Sequence, residues 1–216
     1  MAVRQNITMK YLIFDLDNTI YPKEIGVFKL VDQRINDYMR MKLGLDHGFT
    51  ETLRLKYMDK YGTTLGGLIV HHKVDPDEYL NFVHDIDLEG FLVANPELRK
   101  LMERLQIEKV IFTNGSSSHA DRVLQILGIN DYFSRIFDIK FMNYLAKPDP
   151  RSYRKLLDVL AVEGKDCLIV EDLARNLLPA KELGMTTVLI GEEETTCVDF
   201  VIKDILDLDN VLNEID

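Results

Sequence analysis

Two aspartates one residue apart, Asp15 and Asp17, end the apolar run Tyr11-Leu12-Ile13-Phe14 and are followed at once by Asn18, Thr19, Ile20, Tyr21 and Pro22. Side chains alternate along an extended strand, so the two carboxylates emerge on the same side. Ionised carboxylates held close repel each other unless a cation lies between them or one keeps a proton. Either remedy belongs to an active site: a metal site, or a nucleophile beside a proton donor. Taken alone, the same residues also suit a polar strand end that caps the next turn.

Three later segments offer complementary groups. Val110-Ile111-Phe112 runs into Thr113-Asn114-Gly115-Ser116, a turn able to present a hydroxyl and successive backbone N–H groups to an oxyanion. Lys147 lies in Leu145-Ala146-Lys147-Pro148-Asp149-Pro150, where the following proline restricts it to extended conformations and stiffens the loop that aims its charge. Leu168-Ile169-Val170 ends in Glu171-Asp172, with Asn176 beyond. Adjacent acids at the end of a buried strand are poor structural choices without a cation.

The elements that must position these groups alternate. Short apolar runs at 11–14, 109–112, 135–137, 167–170, 187–190 and, weakly, 200–202 predict strands buried on both faces. Between them, helices are expected at 118–127 with Gly128 as stop, from Pro150 with Asp149 as N-cap, and at 176–183 before Gly184. This alternation predicts an α/β fold, a doubly wound parallel sheet of Rossmann-like type, whose strand ends share one crevice. The segment 23–106 breaks the pattern: helices are expected at 24–43, 48–60, 64–71 and 76–85, and Asn95-Pro96 opens the helix that leads back. We read 1–22 and 107–216 as the core and 23–106 as an inserted all-helical cap, with Gly62-Thr63-Thr64-Leu65-Gly66-Gly67 as a loop within it.

Composition narrows the function classes. A chain of 216 residues, 46% hydrophobic, can bury roughly 70% of its unfolded surface and so build one good core plus a module. With 26 basic and 36 acidic residues, a net charge of −10 and no basic run, it is not expected to bind nucleic acid. A phosphate-bearing ligand therefore needs a local positive patch of metal, lysine and backbone amides. Neither Cys167 nor Cys197 sits in a metal-binding spacing, and two cysteines make no disulfide framework. Met1-Ala2-Val3-Arg4-Gln5-Asn6 has no signal-peptide core and no 18-residue apolar run exists, so the expectation is a soluble cytoplasmic protein without a membrane partner. Glu192, Glu193 and Glu194 read as a solvated loop, and His71-His72 as surface decoration.

In combination, acid-x-acid-x-Thr, strand-Thr, Lys-Pro and Glu-Asp, in this order at strand ends, resemble the haloacid dehalogenase superfamily of aspartate-nucleophile hydrolases over essentially the whole chain. Phe14 to Pro22, Tyr61-Gly62-Thr63-Thr64-Leu65, Asp75-Pro76-Asp77-Glu78-Tyr79 and Phe112-Thr113-Asn114-Gly115 look like its pyrimidine 5′-nucleotidase branch. The resemblance implies that Asp15 is the nucleophile and Asp17 the acid and base. It implies Mg2+ held by Asp15, the backbone carbonyl of Asp17 and Asp172, with Glu171 as a further ligand or as an acceptor orienting metal waters. Thr113, the amide of Asn114 and Lys147 would bind the transferring phosphoryl group. Relatives commonly carry a small hydroxyl residue where this chain has Leu173.

The implied enzyme is a Mg2+-dependent phosphomonoesterase for a small phosphate ester, foremost a nucleoside 5′-monophosphate, working as monomer or homodimer. Alternatives are a sugar-phosphate phosphatase, a phosphomutase, or a phospho-ligand-binding module without turnover. A halide leaving group would not need Asp17, and phosphonate hydrolysis would ask for a distinguished cap lysine, which Lys29, Lys42, Lys56, Lys60 and Lys73 do not provide. Tyr21, Asn18 and Arg34 are candidates to face the leaving group.

Overall fold

The computed structural model describes residues 9–192 and 195–215; Met1 to Asn6, Glu193 and Glu194 lie outside the described residues. Six strands, β1 (Tyr11–Phe14), β2 (Glu108–Phe112), β3 (Phe133–Phe137), β4 (Cys167–Glu171), β5 (Thr186–Ile190) and β6 (Phe200–Ile202), form one sheet in the order β3-β2-β1-β4-β5-β6. Every pairing is parallel. The chain leaves β1 toward β2 on one side and resumes at β4 on the other. The gap between the carboxyl ends of β1 and β4 is therefore the switch point where open α/β sheets bind ligands.

Alternation explains the continuous apolar runs. Leu12 and Phe14 face one cluster with Ile111, Leu168 and Val170, while Ile13 faces the opposite cluster with Val110, Phe112 and Ile169. Helices cover both faces: α6 (Ser117–Leu127) joins the first cluster through Val123 and Leu124, and α7 (Pro150–Leu160) and α8 (Ala174–Glu182) the second through Leu156 and Leu177. Cys167 is buried in this second cluster and Cys197 is exposed; both are free thiols. The C-terminal helix α9 (Leu208–Ile215) seats Leu208 and Val211 on the first face. No helix among the described residues is long and apolar enough to cross a membrane.

Between β1 and β2 lie α1 (Val27–Leu43), α2 (His47–Tyr61), α3 (Thr64–His72), α4 (Pro76–Val83) and α5 (Pro96–Arg104). The first four build a separate core from Tyr38, Met39, Tyr57, Leu68 and Tyr79, which also takes in Ile139 and Ala146 from the loop after β3. By contrast, Leu88, Leu92 and the α5 residues Leu98, Leu101 and Met102 pack with the sheet. Asp75 caps α4 and Asn95 caps α5 with their side chains, each followed by a proline in the first helical turn.

Two expected elements change. The helix expected over 24–43 splits at Gly26, whose φ of +86° belongs to the left-handed region, so a 3-10 turn precedes α1. The glycine-rich loop expected over 62–67 shrinks to Gly62 and Thr63. Thr63 caps α3 by accepting from the Gly66 N–H, and Gly66 and Gly67 are helical. Gly67 is there for contact: a Cβ on it would lie 2.0 Å from Cγ of Tyr57. Gly67→Ala should therefore destabilise the protein by about 1–3 kcal/mol through overpacking, although alanine is the better helix former. Urea unfolding checks this, and a gain in stability would contradict the packing.

Candidate active site

The site begins with the pairing of β1 to β4. Phe14 is opposite Val170, and the N–H of Asp15 donates to the Val170 carbonyl at 2.9 Å, which sets Asp15 beside Glu171. Beyond Asp15 the chain turns back, with the N–H of Ile20 donating to the Leu16 carbonyl and Asn18 taking a φ of +61°, a conformation asparagine tolerates. That turn brings Thr19 Oγ1 to donate to Asp15 Oδ2 at 3.1 Å. At the end of β2, Thr113 Oγ1 accepts the Gly115 N–H and Ser116 caps α6. The Asn114 side chain then reaches the loop after β3: Oδ1 accepts the Lys147 N–H at 2.8 Å and Nδ2 donates to the Lys147 carbonyl at 3.1 Å.

This reciprocal pair delivers Lys147. Its Nζ donates to Asp15 Oδ1 at 2.7 Å and to Glu171 Oε2 at 2.6 Å, and its side chain is 1% exposed. Asp172 joins them, and oxygens of Asp15, Glu171 and Asp172 lie within 4.8 Å of one another. Three carboxylates thus face one ammonium, and the remaining negative charge has to be met by protons or by a further cation. Burial and the neighbouring Glu171 push the Asp15 carboxyl up to about 7 against the pull of Lys147. Burial likewise raises Glu171 to about 7 and raises Asp172. An all-oxygen set of this charge fits a hard divalent cation.

Asp17 has another environment. Burial alone would raise its carboxyl, but His119, Tyr21 and His84 hold it below the usual carboxylate range. Tyr21 O–H donates to Asp17 Oδ1 at 2.5 Å, and His119 Nε2 approaches the same oxygen at 2.9 Å. Asp15, Asp17, Thr113, Asn114, Lys147, Glu171 and Asp172 all line one cavity of about 280 Å³, whose opposite wall comes from α1 to α4 through Phe28, Val31, Met58, Leu65 and Leu80. A polar floor at the strand ends thus faces a roof that is largely apolar but also carries the Arg54–Asp32 ion pair, Thr63, Thr64 and His84.

The model of the haloacid dehalogenase-like hydrolases matches residues 9–184. The chain belongs to this family. Phosphate metabolism protein 8 of Saccharomyces cerevisiae is 30% identical over 213 residues, an overlap of 90% of this chain and 66% of that protein. A phosphoglycolate phosphatase of Neisseria gonorrhoeae is 30% identical over 137 residues, covering 57% of each chain. The chain thus spans less than two thirds of the length of either relative. Among solved structures, a HAD phosphatase from Thermococcus onnurineus superposes with a TM-score of 0.63 at 23% identity, covering 94% of this chain and 98% of that one, and so shares the fold.

The remaining candidate residues separate. Asn18 lines the cavity and donates to Asp172 at 3.4 Å, whereas Tyr21 is buried behind Asp17. Arg34 turns away, its Nε on the Phe82 carbonyl and its guanidinium 3.9 Å over the Phe82 ring. His71 and His72 pair with Tyr61 and Tyr57 outside the cavity. Leu173, in place of a hydroxyl residue, offers its backbone N–H to Glu171 Oε1 at 3.3 Å. His119 and His84 carry no motif. The one sign of His119 is its place on the apolar stripe of α6, four residues before Val123.

Asp15 and Glu171 have folded-state values near 7, above the ordinary 3.8 and 4.5, so the folded protein binds the extra protons in between and loses stability as pH rises through that window. Lys147 is what offsets that loss. Lys147→Met should cost about 3 kcal/mol or more at pH 8 and distinctly less at pH 5, where the carboxyls take up protons. Denaturant unfolding at the two pH values reads this directly, and equal losses would contradict it.

Proposed function

We propose that this hydrolase is a Mg2+-dependent phosphomonoesterase that forms an aspartyl-phosphate on Asp15. The observation that carries the reading is the division of one carboxylate pair between two environments: Asp15 against Lys147 and the acidic cluster, Asp17 among hydroxyl and imidazole donors. Carboxylates set apart in this way suit different roles in one reaction, and a cation held among Asp15, Glu171 and Asp172 would bring the raised Asp15 carboxyl down to the ionised form a nucleophile needs. Relatives whose names are phosphatases support the same class.

In the proposed reaction, an oxygen of Asp15 attacks phosphorus in line; the Asp15–phosphorus bond forms as the bond to the leaving oxygen breaks. Asp17 gives the leaving alkoxide its proton, then takes one from the water that cleaves the aspartyl-phosphate. For the first step Asp17 must carry a proton, and an arriving phosphate dianion pushes its carboxyl upward toward that state. Lys147, Thr113 and the amide of Asn114 hold the phosphoryl oxygens. Asp15, Asp172, the Asp17 carbonyl and Glu171 would hold Mg2+, which supplies neutralisation of phosphoryl charge.

Segment 23–106 is proposed as a cap over a core of 1–22 and 107–216, with α1 to α4 roofing the cavity and α5 anchored on the sheet. A cavity of about 280 Å³ under a largely apolar roof, close to the lower range for small-molecule sites, suits a compact leaving group such as a nucleoside. We expect a screen of nucleotides, sugar phosphates and other small phosphate esters to show phosphate release that requires Mg2+ and is greatest with nucleoside 5′-monophosphates. Asp15→Asn should lower kcat on the order of 10⁴-fold or more. No release from any ester, or undiminished release by Asp15→Asn, would overturn the proposal; preference for a sugar phosphate would overturn the nucleotide assignment alone.

A further inference from the structure

Asp17 is held by one oxygen only. Tyr21 O–H and His119 Nε2 both meet Oδ1, and among the described residues Oδ2 has no protein partner while Asp17 lines the cavity. The acceptor is a carboxyl oxygen, so His119 Nε2 carries the hydrogen of that bond. Oδ1 can accept both bonds whether or not a proton sits on Oδ2. The same clamp therefore serves a proton donor and a proton acceptor.

His119 is itself fixed from several sides. Its ring is fully buried and stacks on His84 at 4.4 Å between centroids and 10° between planes. His84 Nδ1 lies 2.9 Å from Ser116 Oγ, the cap of α6, and Arg122 of α6 donates to the carbonyls of His84 and Ile86 at 3.1 and 3.0 Å. The end of α4 is thereby bolted to the start of α6 around this imidazole. Meanwhile His119 Nδ1 is buried without a partner, a cost that an aliphatic residue on the same stripe would avoid. The bond to Asp17 is what the imidazole supplies in return.

We propose that His119, with Tyr21, is a positioning residue that locks Asp17 so that Oδ2 alone faces the leaving-group oxygen. The inference rests on the phosphomonoesterase reading. It assigns to the α4–α6 joint the task of holding the acid in register with the substrate.

The test is leaving-group dependence, which a merely structural role would not move. A p-nitrophenolate leaves without a proton, whereas an alkoxide needs one. The first step is read as the pre-steady-state release of the alcohol or phenol from p-nitrophenyl phosphate and from an alkyl phosphate monoester. In His119→Leu this step should slow about 10²-fold for the alkyl ester, the scale of a general-acid contribution, and less than about 3-fold for the nitrophenyl ester. Tyr21→Phe should shift the same way by less. His119→Gln, whose amide can reach Oδ1, should recover most of the loss. Equal slowing of both esters, or none, overturns the inference. Should thermal melting show His119→Leu unfolded, Tyr21→Phe and His119→Gln decide by the same ratio. Wild-type protein inactive on both esters would reject the phosphomonoesterase reading itself; active wild type with a flat ratio in the variants rejects only the role of the clamp.

Discussion

The buried ammonium of Lys147 stands between Asp15 and Glu171 at 2.7 and 2.6 Å, and the site is organised around it. Taking three carboxylates out of water at one strand junction costs several kcal/mol per ion unless charge and hydrogen bonds meet them. Lys147 meets part of that charge, and the raised carboxyls of Asp15, Glu171 and Asp172 mark what is left over. The residual charge is what makes the cluster receptive to a hard cation and to the positive end of a reacting group. A site fully neutralised by its own lysine would have no such appetite.

The fold's contribution is to make that arrangement unavoidable. Parallel pairing of β1 with β4 puts Asp15 beside Glu171, and the Asn114 side chain, arriving from the end of β2, grips both backbone groups of Lys147. From above, helices α1 to α4 seat their core on Ile139 and Ala146 of the same loop, and Gly62 approaches so closely that a Cβ would lie 2.8 Å from the Lys147 carbonyl. The loop carrying the central charge is thus gripped from the sheet and from the roof. Asp17, one turn away, escapes this field because Tyr21 and His119 reach it first. One short strand end thereby yields two carboxylates of opposite character.

Much of this was legible in the chain. Strands buried on both faces leave uninterrupted apolar runs, and the Asp-Pro and Asn-Pro pairs announce their helices, because a side-chain cap and a preset φ are local effects. The acids and the hydroxyl stood out as polar groups at the ends of such strands, and Lys147 as a charge in a proline-stiffened loop. Legibility failed where a residue's reason lies far along the chain. Gly66 and Gly67 look like a flexible loop until Tyr61 is found against the first and the Tyr57 ring against the second, each in the space a side chain would need. His119 looks like a misplaced polar residue on an apolar stripe until Asp17 and His84 are seen on its two sides. The packing of Leu88, Leu92 and α5 on the sheet is likewise a tertiary choice that the periodicity of a helix does not encode.

The central claim is that Asp15, held against Lys147, becomes covalently phosphorylated. Rapid acid quench of the enzyme during turnover of a phosphate monoester, followed by mass spectrometry of the peptide spanning the end of β1, tests it most directly. The account predicts a phosphoryl group on Asp15 that hydroxylamine removes, formed at least as fast as steady-state turnover. Turnover with no phosphoryl-enzyme, or with the group on any other residue, would contradict it.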